Sequence, residues 1–331
     1  MSREELREIG EAALVRRIRD AAPPAPSGVV LGIGDDAALL EPARGWQVAT
    51  CDTLVENVHF RRESFSPRDV GWKSLAVSLS DVAAMGGTPR YCLVSLALPP
   101  DLSAAWVEGF YAGLHELAER YEVALVGGDT VRAQAVTVSV TVLGEVPVGR
   151  ALRRAGAHPG ERLLVTGTLG KGMAGLWAME GRCPPREELL QAQRRPLPRL
   201  EEGRRLASGG ATAADDVSDG LASELRELAE AGGVGFRVFL DRLPLSAAVR
   251  RAAAGVGRPA WEPALFGGED YELLCTAPVP AAGRLISEVV GATGTPLTVV
   301  GEVLPAGEGL RVVEASGRER PLEGWGWDSF R

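Results

Sequence analysis

A chain of 331 residues with 36 basic and 44 acidic side chains, a net charge of -8, has room for about two domains of ordinary size and lacks the basic face of a general nucleic-acid binder. No apolar run of roughly 18 residues marks a membrane span, and Met1-Ser2-Arg3-Glu4-Glu5 has neither the basic start nor the apolar core of a secretory signal, so a cytoplasmic enzyme is expected. Cys51, Cys92, Cys183 and Cys275 fit no zinc or redox spacing and His59, His115 and His158 are as scattered, so a bound metal here is one that prefers oxygen, magnesium first.

Ser2 to about Asp20 reads as a helix, with Ser2 and Glu5 at capping-box spacing and Leu6, Ile9 and Ala13 at helical intervals. The proline-rich stretch 21–26 ends it as a stiff linker. Val29 to Leu31 is a short strand running into Gly32-Ile33-Gly34-Asp35-Asp36, and Gln47 to Cys51 is another, ending at Asp52. Ser66-Pro67 opens a helix that runs to about Met85 and stops at Gly86-Gly87. Its only charges from Val70 onward are Lys73 and Asp81, and Asp81 falls on an apolar stripe with Val70, Val77 and Met85. A lone buried carboxylate is costly unless paired or metal-bound; an internal salt bridge is the plainer alternative. Tyr91 to Leu98 is an internal strand, Ser103 caps a helix along Trp106, Phe110, Leu114 and Leu117, and Val123 to Val126 is a buried strand ending at Gly127-Gly128-Asp129. Val136 to Val142 alternates as a strand with one buried face.

Near Arg150 the character changes, and a second domain begins with the strand Arg162 to Thr166. The next segment, Gly167-Thr168-Leu169-Gly170-Lys171-Gly172, looks like a phosphate loop but fails that pattern, with Val165 where glycine is required and Gly172 where Ser or Thr is. It reads as a strand-to-helix turn. Arg182 to Arg199 reads as a surface excursion followed by a helix, and Ala211 to Val217 leads to Asp215-Asp216-Val217-Ser218-Asp219-Gly220. Ser218 is expected to cap the next helix, which carries Leu221, Leu225 and Leu228 and closes at Gly232-Gly233. Phe236 to Leu240, Leu273 to Thr276 and Thr298 to Val303 are strands, the second entered through Gly267-Gly268-Glu269-Asp270-Tyr271-Glu272. An aromatic tail, Gly324-Trp325-Gly326-Trp327-Asp328-Ser329-Phe330, follows.

Acidic residues thus recur beside glycines and apolar residues. Turn chemistry explains any one such cluster, but not their repetition. Asp36, Asp52, Asp81, Asp129, Asp216 and Asp219 gathered in one pocket need about three divalent ions for neutrality. Such a site suits an enzyme that joins two phosphate-bearing substrates, because phosphoryl transfer asks the protein chiefly for positioning and charge stabilisation. No Ser-His or Cys-His arrangement for nucleophilic catalysis is visible.

From about Leu31 onward these motifs, with Asp52-Thr53-Leu54-Val55, Leu79-Ser80-Asp81-Val82-Ala83-Ala84-Met85-Gly86 and Asp129-Thr130 among them, resemble those of the thiamine-monophosphate kinases. The resemblance implies transfer of the ATP γ-phosphoryl group to thiamine monophosphate, giving thiamine diphosphate. It also implies the PurM-like fold of the aminoimidazole ribonucleotide synthetase superfamily: two α/β (α+β) domains, the first a mixed sheet with covering helices. Residues 1–150 would form an ATP- and metal-binding domain that pairs in a homodimer, and 151–331 a C-terminal α/β domain. By position, Asp36, Thr50, Cys51, Asp52, Asp81, Asp129, Asp216 and Asp219 would hold magnesium, and Gly128, Arg150 and Ser218 would touch ATP. His59, Glu269 and Trp327 would line the thiamine monophosphate site. No general base is expected; metals and Arg150 would stabilise charge. Two positions depart from the family pattern. Cys51 stands where Thr is usual, so a metal contact there would use the backbone carbonyl, and Ser329 replaces a usual His. The alternatives are another ATP-dependent synthetase of the superfamily and a non-catalytic nucleotide- or metal-binding module. Selenophosphate synthetases carry a reactive Cys or selenocysteine before this point, whereas no cysteine precedes Cys51, and hydrogenase-maturation relatives end in a cysteine that is missing here.

Overall fold

The computed structural model describes residues 4–24, 27–33 and 37–327. It divides into two compact units, residues 1–82 with 88–147 and residues 83–87 with 148–331. Ser2, Asp36, Asp328 and Ser329 lie outside the described residues.

The first unit contains α1 (Leu6–Ile9), α2 (Glu11–Ala21), β1 (Val29–Leu31), β2 (Leu39–Leu40), β3 (Trp46–Val55), α3 (Pro67–Ala84, its last two residues grouping with the second unit), β4 (Thr88–Leu98), α4 (Ala104–Arg120), β5 (Ala124–Arg132) and β6 (Thr137–Val146). The first helix is broken in two because Gly10 takes φ 72° between α1 and α2. Strands β3-β6-β4-β5 form a four-stranded sheet, antiparallel except for the parallel pair β4-β5. Helix α3 lies on one face of it, where Ser78 Oγ donates to Val140 O at 3.0 Å. Helix α4 packs on α3 so closely that Gly71 leaves no room for a Cβ against the Phe110 carbonyl. The covered face is apolar apart from Thr50 and Asp52: Val48, Leu54, Val138, Val140 and Val142 are buried, whereas Ala49, Cys51 and Thr53, alternating with them, are exposed.

Two strands run further than expected. β3 continues past Cys51 to Val55 because β6 keeps pairing with it, Asp52 opposite Val140 and Val55 opposite Thr137. β5 continues past Val126 through both glycines to Arg132, because β4 offers partners up to Leu98. Asp52 and Asp129 therefore stand within strands rather than after them.

The second unit contains β7 (Arg162–Thr166), α5 (Lys171–Met179), α6 (Glu187–Arg194), α7 (Leu200–Gly209), β8 (Ala213–Asp216), α8 (Leu221–Gly232), β9 (Val234–Phe239), α9 (Ala247–Gly255), α10 (Glu262–Phe266), β10 (Leu273–Ala277), α11 (Val279–Thr293), β11 (Leu297–Pro305), β12 (Leu310–Val313) and β13 (Glu319–Pro321). Its sheet has the order β13-β12-β9-β11-β7-β10-β8, with only β9-β12 parallel. Leu163, Val165, Phe236, Val238, Leu274 and Val300 are fully buried in its core, together with Leu221, Leu225 and Leu228 from α8. A second cluster joins Ala174 and Trp177 of α5, Leu189 of α6 and Val249 and Ala253 of α9. The stretch expected as a surface excursion is thus partly core: α6 buries Leu189 and Gln193. Among the described residues no helix is long and apolar enough to cross a membrane.

Candidate active site

In the first unit, strand alternation sends Thr50 and Asp52 to the face under α3, where Thr50 Oγ1 donates to Asp81. Burial first, and then the charge of Asp81, raise the Asp52 carboxyl above the usual carboxylate range, against a hydrogen bond from Ser78. Asp52 Oδ2 is buried with no hydrogen-bond partner. Two neighbouring carboxylates with an orphaned oxygen and a hydroxyl make an all-oxygen donor set that fits a hard divalent cation. Cys51, between Thr50 and Asp52 in sequence, is exposed, so its thiol points away from these two side chains and only its backbone remains for such an ion. Asp129 occupies the row of Ser95, Ser139 and Thr53, next to the row of Asp52 but on the opposite, exposed face of the sheet, so the strands do not bring these two carboxylates together. It is exposed, with Oδ1 accepting from Thr130 N at 2.9 Å. Gly128 before it has no room for a Cβ against the Val94 carbonyl. His59 Nδ1 accepts from Val55 N at 3.0 Å, so the neutral ring carries its proton on Nε2. The fully buried Lys73 donates to His59 O at 3.4 Å. Among the described residues no three His, Cys, Asp or Glu side chains stand together as a complete metal site.

In the second unit five of the expected residues come together on three loops. Asp216 ends β8, opposite Leu273 of β10, and is 4% exposed. The chain beyond it is laced to the 267–272 turn: Glu269 N donates to Ser218 O at 2.6 Å, Tyr271 N to Val217 O at 2.9 Å and Val217 N to Glu272 O at 2.7 Å. Gly268 has no room for a Cβ against the Ser218 carbonyl. The tail arrives from the other side, with Trp327 N donating to Asp219 O at 2.8 Å and Gly326 N to Ser223 Oγ at 3.2 Å. Arg226 secures it, accepted by Gly324 O and stacked 4.4 Å from the Trp325 ring. Trp327 remains 49% exposed. Arg150 is exposed, just after Gly149.

Ser218 does not cap α8, which begins at Leu221 with Gly220 before it. Glu224, 3% exposed, instead folds back from the first turn, and its Oε1 accepts from Ser218 N at 3.0 Å and Asp219 N at 2.7 Å. Burial pushes its carboxyl well up. Its neighbour Asp215 is likewise pushed up to about 7 by burial, although Arg154 Nε donates to it at 2.9 Å. The sequence held one signal for Glu224: it lies on the stripe of Leu221 and Leu228, the buried side of the helix.

The segment that looks like a phosphate loop opens α5, and its anion is internal. Asp270 accepts from Gly170 N at 2.5 Å and Gly172 N at 3.0 Å, the position a helix N-terminus offers to negative charge. Burial outweighs these donors and holds the Asp270 carboxyl up at about 7. On either side of Asp270, Glu269 and Tyr271 take φ of 66° and 51°, conformations that cost a side-chain-bearing residue about 1–3 kcal/mol each. Glu272, 5% exposed, accepts two bonds from Arg199, at 2.7 and 2.6 Å, and one from Thr166 Oγ1 at 2.7 Å.

Residues 34–146 match the N-terminal domain of the AIR synthase related proteins and residues 158–313 their C-terminal domain. The chain thus has the two-domain, PurM-like α/β (α+β) architecture of that class. It is 38% identical to the thiamine-monophosphate kinase of Bacillus subtilis, covering 92% of this chain and 95% of the relative. The crystal structure of thiamine-monophosphate kinase from Stenotrophomonas maltophilia superposes with a TM-score of 0.79 at 38% identity, covering 90% of this chain and 94% of the other. AaThiL, solved in complex with AMPPCP and TMP, superposes with a TM-score of 0.77 at 35% identity over 98% of both chains. The chain belongs to the thiamine-monophosphate kinase family and is a kinase.

Proposed function

We propose that this kinase transfers the γ-phosphoryl group of ATP to the phosphate of thiamine monophosphate by direct in-line displacement, giving thiamine diphosphate, with several magnesium ions present. The likeness over almost the whole chain to a relative solved with both AMPPCP and TMP carries this reading. The gathering of Asp216, Ser218, Asp219, Glu269 and Trp327 on adjoining loops supports it.

Thr50, Asp52, Asp81 and Asp129 in the first unit, the Cys51 backbone, Asp36, and Asp216 and Asp219 in the second would hold magnesium. The unpartnered Asp52 Oδ2 and the purely oxygen donor set fit that ion. Magnesium there would screen the repulsion between two phosphate-bearing substrates. Gly128 lets the backbone approach the ATP phosphates, the Ser218 hydroxyl contacts them, and Arg150 offers a planar pair of donors that stabilises charge on a phosphate. His59, Glu269 and Trp327 receive thiamine monophosphate. The Glu269 carboxylate and the exposed Trp327 indole both attract the cationic thiazolium ring. No residue acts as general base, because a phosphate monoester has its second pKa near about 6 and is already a nucleophilic dianion at neutral pH.

Two copies pair through their first units. The exposed row Ala49, Cys51 and Thr53 on β3, and Trp46 and Val131, each 51% exposed, support this.

The test is ADP release from the purified protein with ATP and thiamine monophosphate, with thiamine diphosphate identified as product. Release only with an aminoimidazole ribonucleotide precursor would make it another synthetase of the superfamily. No release with either substrate would make it a binding module.

A further inference from the structure

Glu269 is fixed twice over. Its backbone lies in a left-handed conformation, which persists only where the surroundings over-determine it, and here they do. Asp270, the next residue, is tied to the start of α5 through Gly170 N and Gly172 N. Glu272 is clamped by Arg199, and Gly172 has no room for a Cβ between the Gly268 and Glu269 carbonyls. The Glu269 carboxylate is held separately, accepting from Nε2 of Gln193 on α6. Gln193 is 3% exposed, and α6 is seated on α5 where Gly175 leaves no room for a Cβ against the Leu189 carbonyl. The backbone of Glu269 is thus set from α5 and its side chain from α6, two helices packed on each other.

We propose that Gln193 and Asp270 are positioning residues for the thiamine-bearing substrate, together fixing the Glu269 carboxylate in the place and rotamer that bind it. This rests on the reading of Glu269 as a substrate contact. A carboxylate on a mobile turn would lose conformational freedom on binding and so bind more weakly; one mounted beforehand does not. Gln193 supplies a charge-assisted donor, and Asp270 stops the turn from relaxing to an ordinary backbone conformation.

The full-length enzyme tests this through its Michaelis constants for thiamine monophosphate and ATP, measured with melting temperatures. The variants are Gln193→Met, Asp270→Asn, Glu269→Ala and the two doubles with Glu269→Ala. Gln193→Met keeps the volume and loses the donor; Asp270→Asn turns a donor towards the backbone N–H groups of α5. Each is expected to raise the Michaelis constant for thiamine monophosphate about ten-fold, as loss of a hydrogen bond to a charged group does. The ATP constant should stay within about two-fold of wild type, and neither change should add to that of Glu269→Ala. Additive effects in the doubles would overturn the proposal. So would unchanged constants in both single variants while Glu269→Ala raises its own. A Glu269→Ala variant that binds thiamine monophosphate normally would instead remove the substrate-contact reading, and the proposal with it. If Asp270→Asn fails to fold, the Gln193→Met pair decides.

Discussion

Asp81 is the only acidic side chain between Val70 and Met85, in a helix whose neighbouring side chains are nearly all buried. The Thr50 hydroxyl donates to it, and its charge raises the proton affinity of the neighbouring Asp52 carboxyl. Asp81→Asn should lower turnover by about two orders of magnitude or more while leaving the melting temperature near wild type, since charge placed at a transition state is worth that much. Near-normal activity at low magnesium would sink the metal role. Trp327 tests the other substrate. Half of its surface is open while its backbone is pinned to Asp219, so the ring is held without being packed away. Trp327→Ala should raise the Michaelis constant for thiamine monophosphate several-fold, in line with a cation–π contact of about 0.5–2 kcal/mol, with ATP and melting temperature little changed. A variant that melts early yet binds thiamine monophosphate normally would assign the ring to packing. Asp270 carries a pH dependence. Its carboxyl is at about 7 in the folded chain against an ordinary 3.8, so the folded state binds the extra proton between these values. Its contribution to stability is therefore present at low pH and lost as pH rises through about 7. The melting temperature of wild type minus that of Asp270→Asn should fall over this range; a flat difference would refute the assignment.

Elements show where local reading stops. The helices α3 and α4 announce themselves through Ser66-Pro67 and Ser103, and Ser103 Oγ does accept from Trp106 N at 3.3 Å. The acidic motifs are legible because each is local, a few residues long and set among glycines. What mounts them is not local. Gln193 reaches Glu269 across 76 positions and Asp270 reaches Gly170 across 100, so no spacing rule connects them before the chain is folded. Strand ends are hidden for the same reason: β3 and β5 run on through Asp52 and Asp129 because a partner strand is there to pair with, not because of their own residues. Glu224 was within reach, on an apolar helical stripe, whereas Ser218 looked like a cap only because the residues after it are helical. Arg199 joins α7 to the entry of β10 by clamping Glu272, both largely buried. Arg199→Met should destabilise the protein by about 3–5 kcal/mol, the cost of leaving a buried charge without its partner. Chemical denaturation measures it, and a loss below about 1 kcal/mol, as for a surface pair, would show the clamp to be incidental.

At the scale of the molecule, the chain divides near residue 147, with residues 83–87 grouping with the second unit. The first unit shows a sheet with α3 on one face and an exposed row on the other. Light scattering at working enzyme concentration should give twice the mass of the 331-residue chain, and a monomer would refute pairing through this face. The same row gives the protein a built-in chemical reporter. Of the four cysteines, Cys92, Cys183 and Cys275 are buried, and burial pushes the thiols of Cys92 and Cys275 up to about 12, far from the thiolate that reacts. Only Cys51 is exposed. A maleimide added to the native protein should therefore modify one site per chain, and modify it slowly while two copies cover each other. Dilution that separates them should accelerate labelling. Cys51 thus doubles as a dosimeter of assembly, read by mass spectrometry without any engineered probe.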